Sequence, residues 1–313
     1  MKAKHIIIAL ALALLGASAY AQHAENNDVR EIPKEYWRPA SQQGRLESIN
    51  YTVTKNGMKL NKSAMVYLPY GYNASDKAKR YNVVYLFHGG GDNYTSFYTD
   101  PRGCDPLNNI LDHLIQDGRM EPVIVVTPTN YNGLKPYYEE EGSKDPDRLT
   151  GSYPDEMVDC IIPAVGKAYN TYLRKFNHKG IIATREHRAV GGFSMGSLYT
   201  WYFMAAKPEY VRNYIPLSGD IWTYDANGEN NPAPKSAQWL ISKVKPAVDA
   251  GYDLHVCGYT GTKDIAYGRM KAVIEALWAA GAPMDLSFHA LPEGDHSYRY
   301  INQYLYNVLP ELW

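Results

Sequence analysis

A serine hydroxyl attacks a carbonyl only when a base takes its proton, an acid orients the base, and N–H groups receive the charge that moves onto oxygen. Ser194 lies in GGFSMGSLYTW (191–201), with Gly192 two places before it and Gly196 two places after. In a G-x-S-x-G elbow the flanking glycines let a tight strand-to-helix turn pack, and the serine stands above the sheet. The pentapeptide alone is weak, so its context carries the reading: AVGGF reads as a buried strand and MGSLYTWYFMAA as a helix. The backbone N–H of Met195, at the start of that helix, is then placed to receive a developing oxyanion.

A second glycine run, LFHGGGDN (86–93), closes an earlier apolar strand. A turn of this kind brings backbone N–H groups close to a substrate, and by position Gly90 is the second oxyanion donor, with Gly91 as the alternative. His88, inside the run, reads as a brace for the turn. For the base, His296 in LPEGDHSYRY follows the last predicted strand and opens the last helix, whereas His255 and His289 lie inside strand patterns. For the acid, Asp264 in GYTGTKDIAYG follows the preceding strand on a glycine-rich loop. Asp295 neighbours His296 in sequence, and such neighbours usually point apart and seldom orient each other's rings. Asp220, after LSG, fits a wall of the substrate cleft or a turn cap. The chain order serine, acid, histidine is that of the α/β-hydrolase elbow enzymes.

These residues need a sheet to hold them. LESINYTVT and KSAMVYLP alternate apolar and polar positions around NGMKLN, an antiparallel pair for a sheet edge. YNVVYLF, PVIVVT, HRAVGGF, RNYIPLSGD, DLHVCGYTG and DLSFHALPEG are short runs rich in apolar residues, several of them continuous, as expected of central strands covered on both faces. Helical spacing marks LNNILDHLIQDG, a helix over 155–172 kinked at Pro163, further helices over 235–249 and 265–281, and a last one after His296. Strands alternating with helices predict an α/β fold, a mostly parallel, doubly wound sheet with helices on both faces. Two long polar loops, 127–154 and 218–235, leave the carboxyl ends of predicted strands, where open α/β sheets bind ligands.

Lys2 and Lys4, the apolar run Ile6–Leu15 and Ala19-Tyr20-Ala21 form the three-part pattern of a secretory signal over residues 1–21, too short for a membrane span. Residues 22–45 read as an N-terminal arm or linker, and 46–313 as a single domain. Export places the protein in the periplasm or outside the cell. With 32 basic against 33 acidic residues and no basic block, the chain has neither a nucleic-acid footprint nor an electrostatic membrane surface. No obligate protein partner is evident. Of the three cysteines, Cys257 sits in a strand pattern, and a Cys104–Cys160 disulfide is permitted in an oxidising compartment. There is no C-x-x-C or H-E-x-x-H spacing, so neither a metal nor an organic cofactor is expected.

With Ser194, Asp264, His296 and the HGGG turn in place, the chain resembles the esterase branch of the α/β-hydrolase superfamily. It is most similar to the feruloyl esterases of carbohydrate esterase family 1. GGFSMGSLYTWYFMAAKPEYVRNYIPLSGDIW carries the likeness, its SGD-x-W stretch more specifically than GFSMG or HGGG, and the similarity spans roughly residues 45 to 313. The resemblance implies hydrolysis of feruloyl esters on arabinoxylan or xylo-oligosaccharides through an acyl-serine. It also implies that Trp222 and the loop around Asp220 wall a pocket for the phenolic ring. An acetyl xylan esterase would share fold and triad with a smaller acyl pocket. A sugar-binding relative without catalysis would be expected to lack one triad member.

Overall fold

A computed structural model of the chain describes residues 24–55, 57–99, 106–129, 151–223 and 230–313. The stretch read as a secretory signal (1–21), Cys104 and the middles of both long loops lie outside the described residues, while Cys160 is described as a free, half-buried thiol.

Eight strands form one sheet: β1 (Arg45–Lys55), β2 (Met58–Leu68), β3 (Asn82–Phe87), β4 (Val123–Pro128), β5 (Arg188–Phe193), β6 (Asn213–Leu217), β7 (His255–Gly261) and β8 (Asp285–Leu291). Their spatial order is β1-β2-β4-β3-β5-β6-β7-β8. β1 and β2 pair antiparallel from Arg45↔Leu68 to Lys55↔Met58, and β2 pairs antiparallel with β4. All other pairs are parallel. The apolar runs fix this arrangement, since β4, β5 and β6 are buried along their whole length and must be covered on both faces. From β3 the chain steps to β4 on one side, then crosses to β5 on the other. That reversal pairs Phe87 with Gly192 and brings the ends of β3 and β5 together, the kind of position where open α/β sheets bind ligands.

The helices that matter to the site are α1 (Leu107–Gln116), α2 (Ile162–Ala168), α3 (Met195–Ala206), α4 (Ala233–Asp249), α5 (Tyr267–Ala279) and α6 (Tyr298–Val308). Residues of α2 to α5, with Trp201, Phe203, Leu240 and Ile274 among them, pack one core against the sheet. Residues of α1 and α6, among them Ile110, Leu111, Ile301 and Leu305, pack the other. α3 is buried from Met195 through Ala205, so it is apolar all round and carries no polar stripe. The kink expected at Pro163 takes the form of a π-turn, Met157–Ile161, leading into α2. Proline has no N–H for the carbonyl four residues back, and a wider turn accommodates the missing bond. The helix also stops at Ala168, short of the expected Tyr172, because Tyr169 turns extended.

The described part of the 22–45 stretch is docked rather than loose. Asn26 forms a parallel bridge with His289, its N–H donating to the Phe288 carbonyl (2.9 Å) and its carbonyl accepting from Ala290 N–H (2.9 Å). It thereby covers part of an otherwise open edge strand. Val29, Ile32 and Tyr36 are buried against α1 and α6. Arg30 meets the end of the fold: its N–H donates to Asn307 Oδ1 (2.9 Å), and Asn307 Nδ2 donates to the Arg30 carbonyl (2.9 Å). Among the described residues, no helix is long and apolar enough to cross a membrane.

Candidate active site

The turn after β5 holds Ser194 at φ 56°, ψ −112°, a left-handed conformation that a non-glycine residue keeps only when its surroundings impose it. Those surroundings are backbone. Ser194 N–H donates to the Leu217 carbonyl of β6 (3.0 Å), and its own carbonyl accepts from Ser197 N–H (2.9 Å) as α3 begins. The two elbow glycines have a visible purpose. A methyl group on Gly192 would lie 2.5 Å from the Gly196 carbonyl oxygen, and one on Gly196 would lie 2.1 Å from the Phe87 carbonyl oxygen. Neither backbone neighbour can retreat without moving β3 or α3. Gly196→Ala is therefore expected to cost about 3 kcal/mol or more of stability, at the upper end for overpacking. A thermal melt against wild type checks it, and a change below about 0.5 kcal/mol would contradict the steric argument.

His296 lies on the loop between β8 and α6, and Asp264 on the loop between β7 and α5. The two loops are stitched by Lys263 N–H donating to the Gly294 carbonyl and Thr262 N–H donating to the Leu291 carbonyl, both at 2.9 Å. His296 Nδ1 is 2.8 Å from Asp264 Oδ1, and its Nε2 is 2.9 Å from Ser194 Oγ. An ionised carboxylate only accepts, so Nδ1–H donates to it and Nε2 faces Ser194 with its lone pair. The Asp264 carboxylate is fully enclosed, while the His296 side chain keeps 23% exposure. Asp264 Oδ1 also accepts from Ala266 N–H (2.7 Å), which fixes the carboxylate plane. The Phe193 ring packs on the imidazole at 4.6 Å between centroids. The three side chains singled out by strand-end position are thus in contact, although Ser194 and His296 are 102 residues apart.

The HGGG turn stands directly beside the elbow. Gly90 is half-buried and Met195 buried, each at the start of the turn or helix that follows its strand. His88 is fully buried, with Nδ1 2.9 Å from the Gly89 carbonyl, and burial pulls its pKa down to about 4. It is thus a neutral brace. Tyr298, on the first turn of α6, supports the same turn from below: its hydroxyl accepts from Gly89 N–H (3.2 Å) and donates to Asp92 Oδ2 (3.1 Å). Phe193 packs edge-on against Tyr298 at 4.9 Å, so one aromatic pair backs both the imidazole and the glycine turn.

Asp220 and Trp222 follow β6 on the far side of the serine. A methyl group on Gly219 would lie 2.6 Å from the Ser194 carbonyl oxygen, so this segment abuts the elbow. Trp222 Nε1 donates to Asp220 Oδ1 (3.0 Å), and Arg269 Nε on α5 is 3.6 Å from the same oxygen. The Arg269 guanidinium also sits over the Trp222 ring at 5.9 Å. Burial raises the Asp220 pKa, with the Arg269 charge and the indole N–H working against it. Asp220, Thr223, Asn231, Ser236 and Arg269 line a cavity of about 120 Å³ beside this group. Arg269 carries no signal in the sequence, because its role comes from a helix face meeting a distant loop. No group of three or more potential metal ligands occurs among the described residues.

A family model described as "Putative esterase" matches residues 56–306. Endo-1,4-beta-xylanase Y of Acetivibrio thermocellus is 36% identical over 289 residues, which are 90% of this chain and 24% of that protein. An endo-1,4-beta-xylanase/feruloyl esterase of Xylanibacter ruminicola is 30% identical over 206 residues, 63% of this chain and 24% of that protein. The chain thus spans about a quarter of the length of these curated relatives. Among solved structures, a mutant of the feruloyl esterase module from Clostridium thermocellum, complexed with sinapinate, aligns with a TM-score of 0.74 at 33% identity. That alignment covers 92% of this chain and 94% of the module.

Proposed function

The chain belongs to the "Putative esterase" family of carboxylic ester hydrolases, with the feruloyl esterases of carbohydrate esterase family 1, and from that premise we propose that it releases hydroxycinnamic acids from their esters on xylan-derived carbohydrate. Ser194 is the nucleophile, His296 the base and Asp264 the residue that orients it. The observation that carries this reading is the continuous contact from Asp264 Oδ1 through His296 to Ser194 Oγ, at 2.8 and 2.9 Å.

In the first step His296 Nε2 takes the Ser194 proton as Oγ bonds to the ester carbonyl carbon. The oxyanion is received by backbone N–H groups at Met195 and Gly90. His296 then returns the proton to the departing sugar oxygen, leaving an acyl-serine. Water, deprotonated by His296, attacks the acyl carbon, and the free acid leaves as Oγ recovers its proton. Trp222, held by Asp220 and backed by Arg269, forms one wall for the aromatic acid. No metal or organic cofactor takes part. The leader pattern at residues 1–21 supports export to the periplasm or beyond, where such esters are met.

Purified protein given methyl ferulate and, separately, an acetylated xylo-oligosaccharide tests the substrate. Treatment with a fluorophosphonate followed by peptide mass mapping tests the nucleophile. Ferulate release and a single adduct on Ser194 are expected. Acetate release alone would move the substrate to acetyl xylan with the same serine chemistry. No acid and no adduct would leave a carbohydrate-binding relative and overturn the reading.

A further inference from the structure

Asp264 presents two oxygens, and the partners of only one are accounted for. Oδ1 accepts from both His296 Nδ1–H and Ala266 N–H. Oδ2 is buried and has no hydrogen-bond partner among the described residues. A carboxylate has about four lone-pair sites, and a buried one left partly unserved is costly. Two nearby hydroxyls are also buried without a partner of full hydrogen-bond geometry: Tyr304 on α6 and Ser218 at the end of β6.

Several contacts gather these groups under the Asp264 loop. Tyr304 is fully buried and stacks on Tyr259 at 5.8 Å, and the Tyr259 carbonyl accepts from Ser218 N–H at 2.8 Å. Ser218 is held at φ 50°, a strained position for a serine. A methyl group on Gly294 would stand 3.0 Å from the Tyr304 hydroxyl, and the Gly294 carbonyl is the acceptor that stitches down Lys263, the residue before Asp264. Burial, and after it the charge of Asp264, push the Tyr304 phenol pKa far up, so it stays a proton donor. Ser218 lies close enough to bias that phenol, yet the two hydroxyls do not form a bond of acceptable geometry. Buried polar groups gathered in one place without direct bonds of good geometry are the setting of a bridging buried water, which takes two to four polar partners.

We propose that Tyr304 is a positioning residue for Asp264: with Ser218 it holds one buried water that donates to Asp264 Oδ2. The water spreads the carboxylate charge over both oxygens and keeps its plane aligned with the His296 ring. The inference rests on the roles proposed for Asp264 and His296, and its first readout is independent of any substrate.

That readout is the far-downfield proton resonance of His296 Nδ1, recorded in wild type, Tyr304→Phe, Ser218→Ala and the double variant. Tyr304→Phe removes one oxygen and keeps the stacked ring. The expected result is a displaced or broadened resonance in Tyr304→Phe, a smaller change in Ser218→Ala, and a double variant no worse than Tyr304→Phe, because both hydroxyls act through one water. With methyl ferulate, kcat falls about tenfold in Tyr304→Phe, part of the worth of a hydrogen bond to a charged group, while KM stays within about twofold. A Tyr304→Phe resonance and kcat matching wild type would overturn the proposal, as would effects of the two variants that simply add. If Tyr304→Phe does not fold, an unchanged resonance in Ser218→Ala overturns it instead. Wild type inactive on every ester would count against the esterase reading, and the resonance would still decide the role of Tyr304.

Discussion

Ser194→Ala is expected to lower kcat on methyl ferulate by on the order of 10⁶, leaving only what binding and the oxyanion donors give over water. The change removes one oxygen, whose partner is His296 Nε2 at 2.9 Å. Alanine keeps the same Cβ, so the strained φ of 56° is neither relieved nor worsened. Stability should therefore stay within about 0.5 kcal/mol of wild type, and the loss is chemical rather than structural. Binding of free ferulate, measured by calorimetry, should survive, because the acid is held by the cleft walls and not by Oγ. A variant retaining more than about a hundredth of the wild-type rate would remove Ser194 from the chemistry, since triad nucleophiles cost far more than that.

The second large effect is Asp264→Asn, and its size follows from the double load on Oδ1. An amide at this position could turn its NH₂ towards His296, which would reverse the tautomer and cost about 10⁴ in kcat, as in other triads. Here Ala266 N–H also points at Oδ1 from 2.7 Å. An NH₂ group there would face two donors, so the amide oxygen stays in place and His296 keeps its lone pair towards Ser194. The loss is then the charge alone. Two unit charges about 4 Å apart at an effective dielectric constant near 20 attract by about 4 kcal/mol, which the imidazolium formed in each step no longer receives. The expected fall in kcat is on the order of 10³, with KM little changed and no recovery at high pH. A fall nearer 10⁴ with recovery at alkaline pH would show that the amide had turned. A fall of less than tenfold would mean that Asp264 does not stabilise the base.

The parts of the site legible in the sequence share one property: each sits where an apolar run stops at a carboxyl strand end. Ser194, Asp264 and His296 follow β5, β7 and β8, and in a parallel sheet all such ends lie on one edge. Apolar runs and glycines could therefore place them without knowledge of any contact. Side chains that enter from a helix face or a terminus leave no such mark. Tyr304 and Tyr298 are two of many tyrosines in α6, and nothing local separates the one beneath Gly89 from the others. Arg269 is an ordinary surface cation until α5 places it over Trp222. Val29, Ile32 and Tyr36 are too scattered among polar residues to show a period, yet they are buried because α1 and α6 leave a groove that the arm fills. The π-turn before Pro163 was legible as a disturbance but not in its form, since a missing N–H dictates only that one bond be lost.

The clasp between Arg30 and Asn307 ties the arm to α6, and Asn26 pairs with β8 a few residues earlier. The loop that carries His296 runs from β8 to α6, so both of its anchors are gripped by the same strap. Ser194 hangs instead on β5 and α3, which these strap contacts do not reach. Peeling the arm away would therefore loosen the base before it disturbed the nucleophile, as local openings follow the elements that lose their contacts.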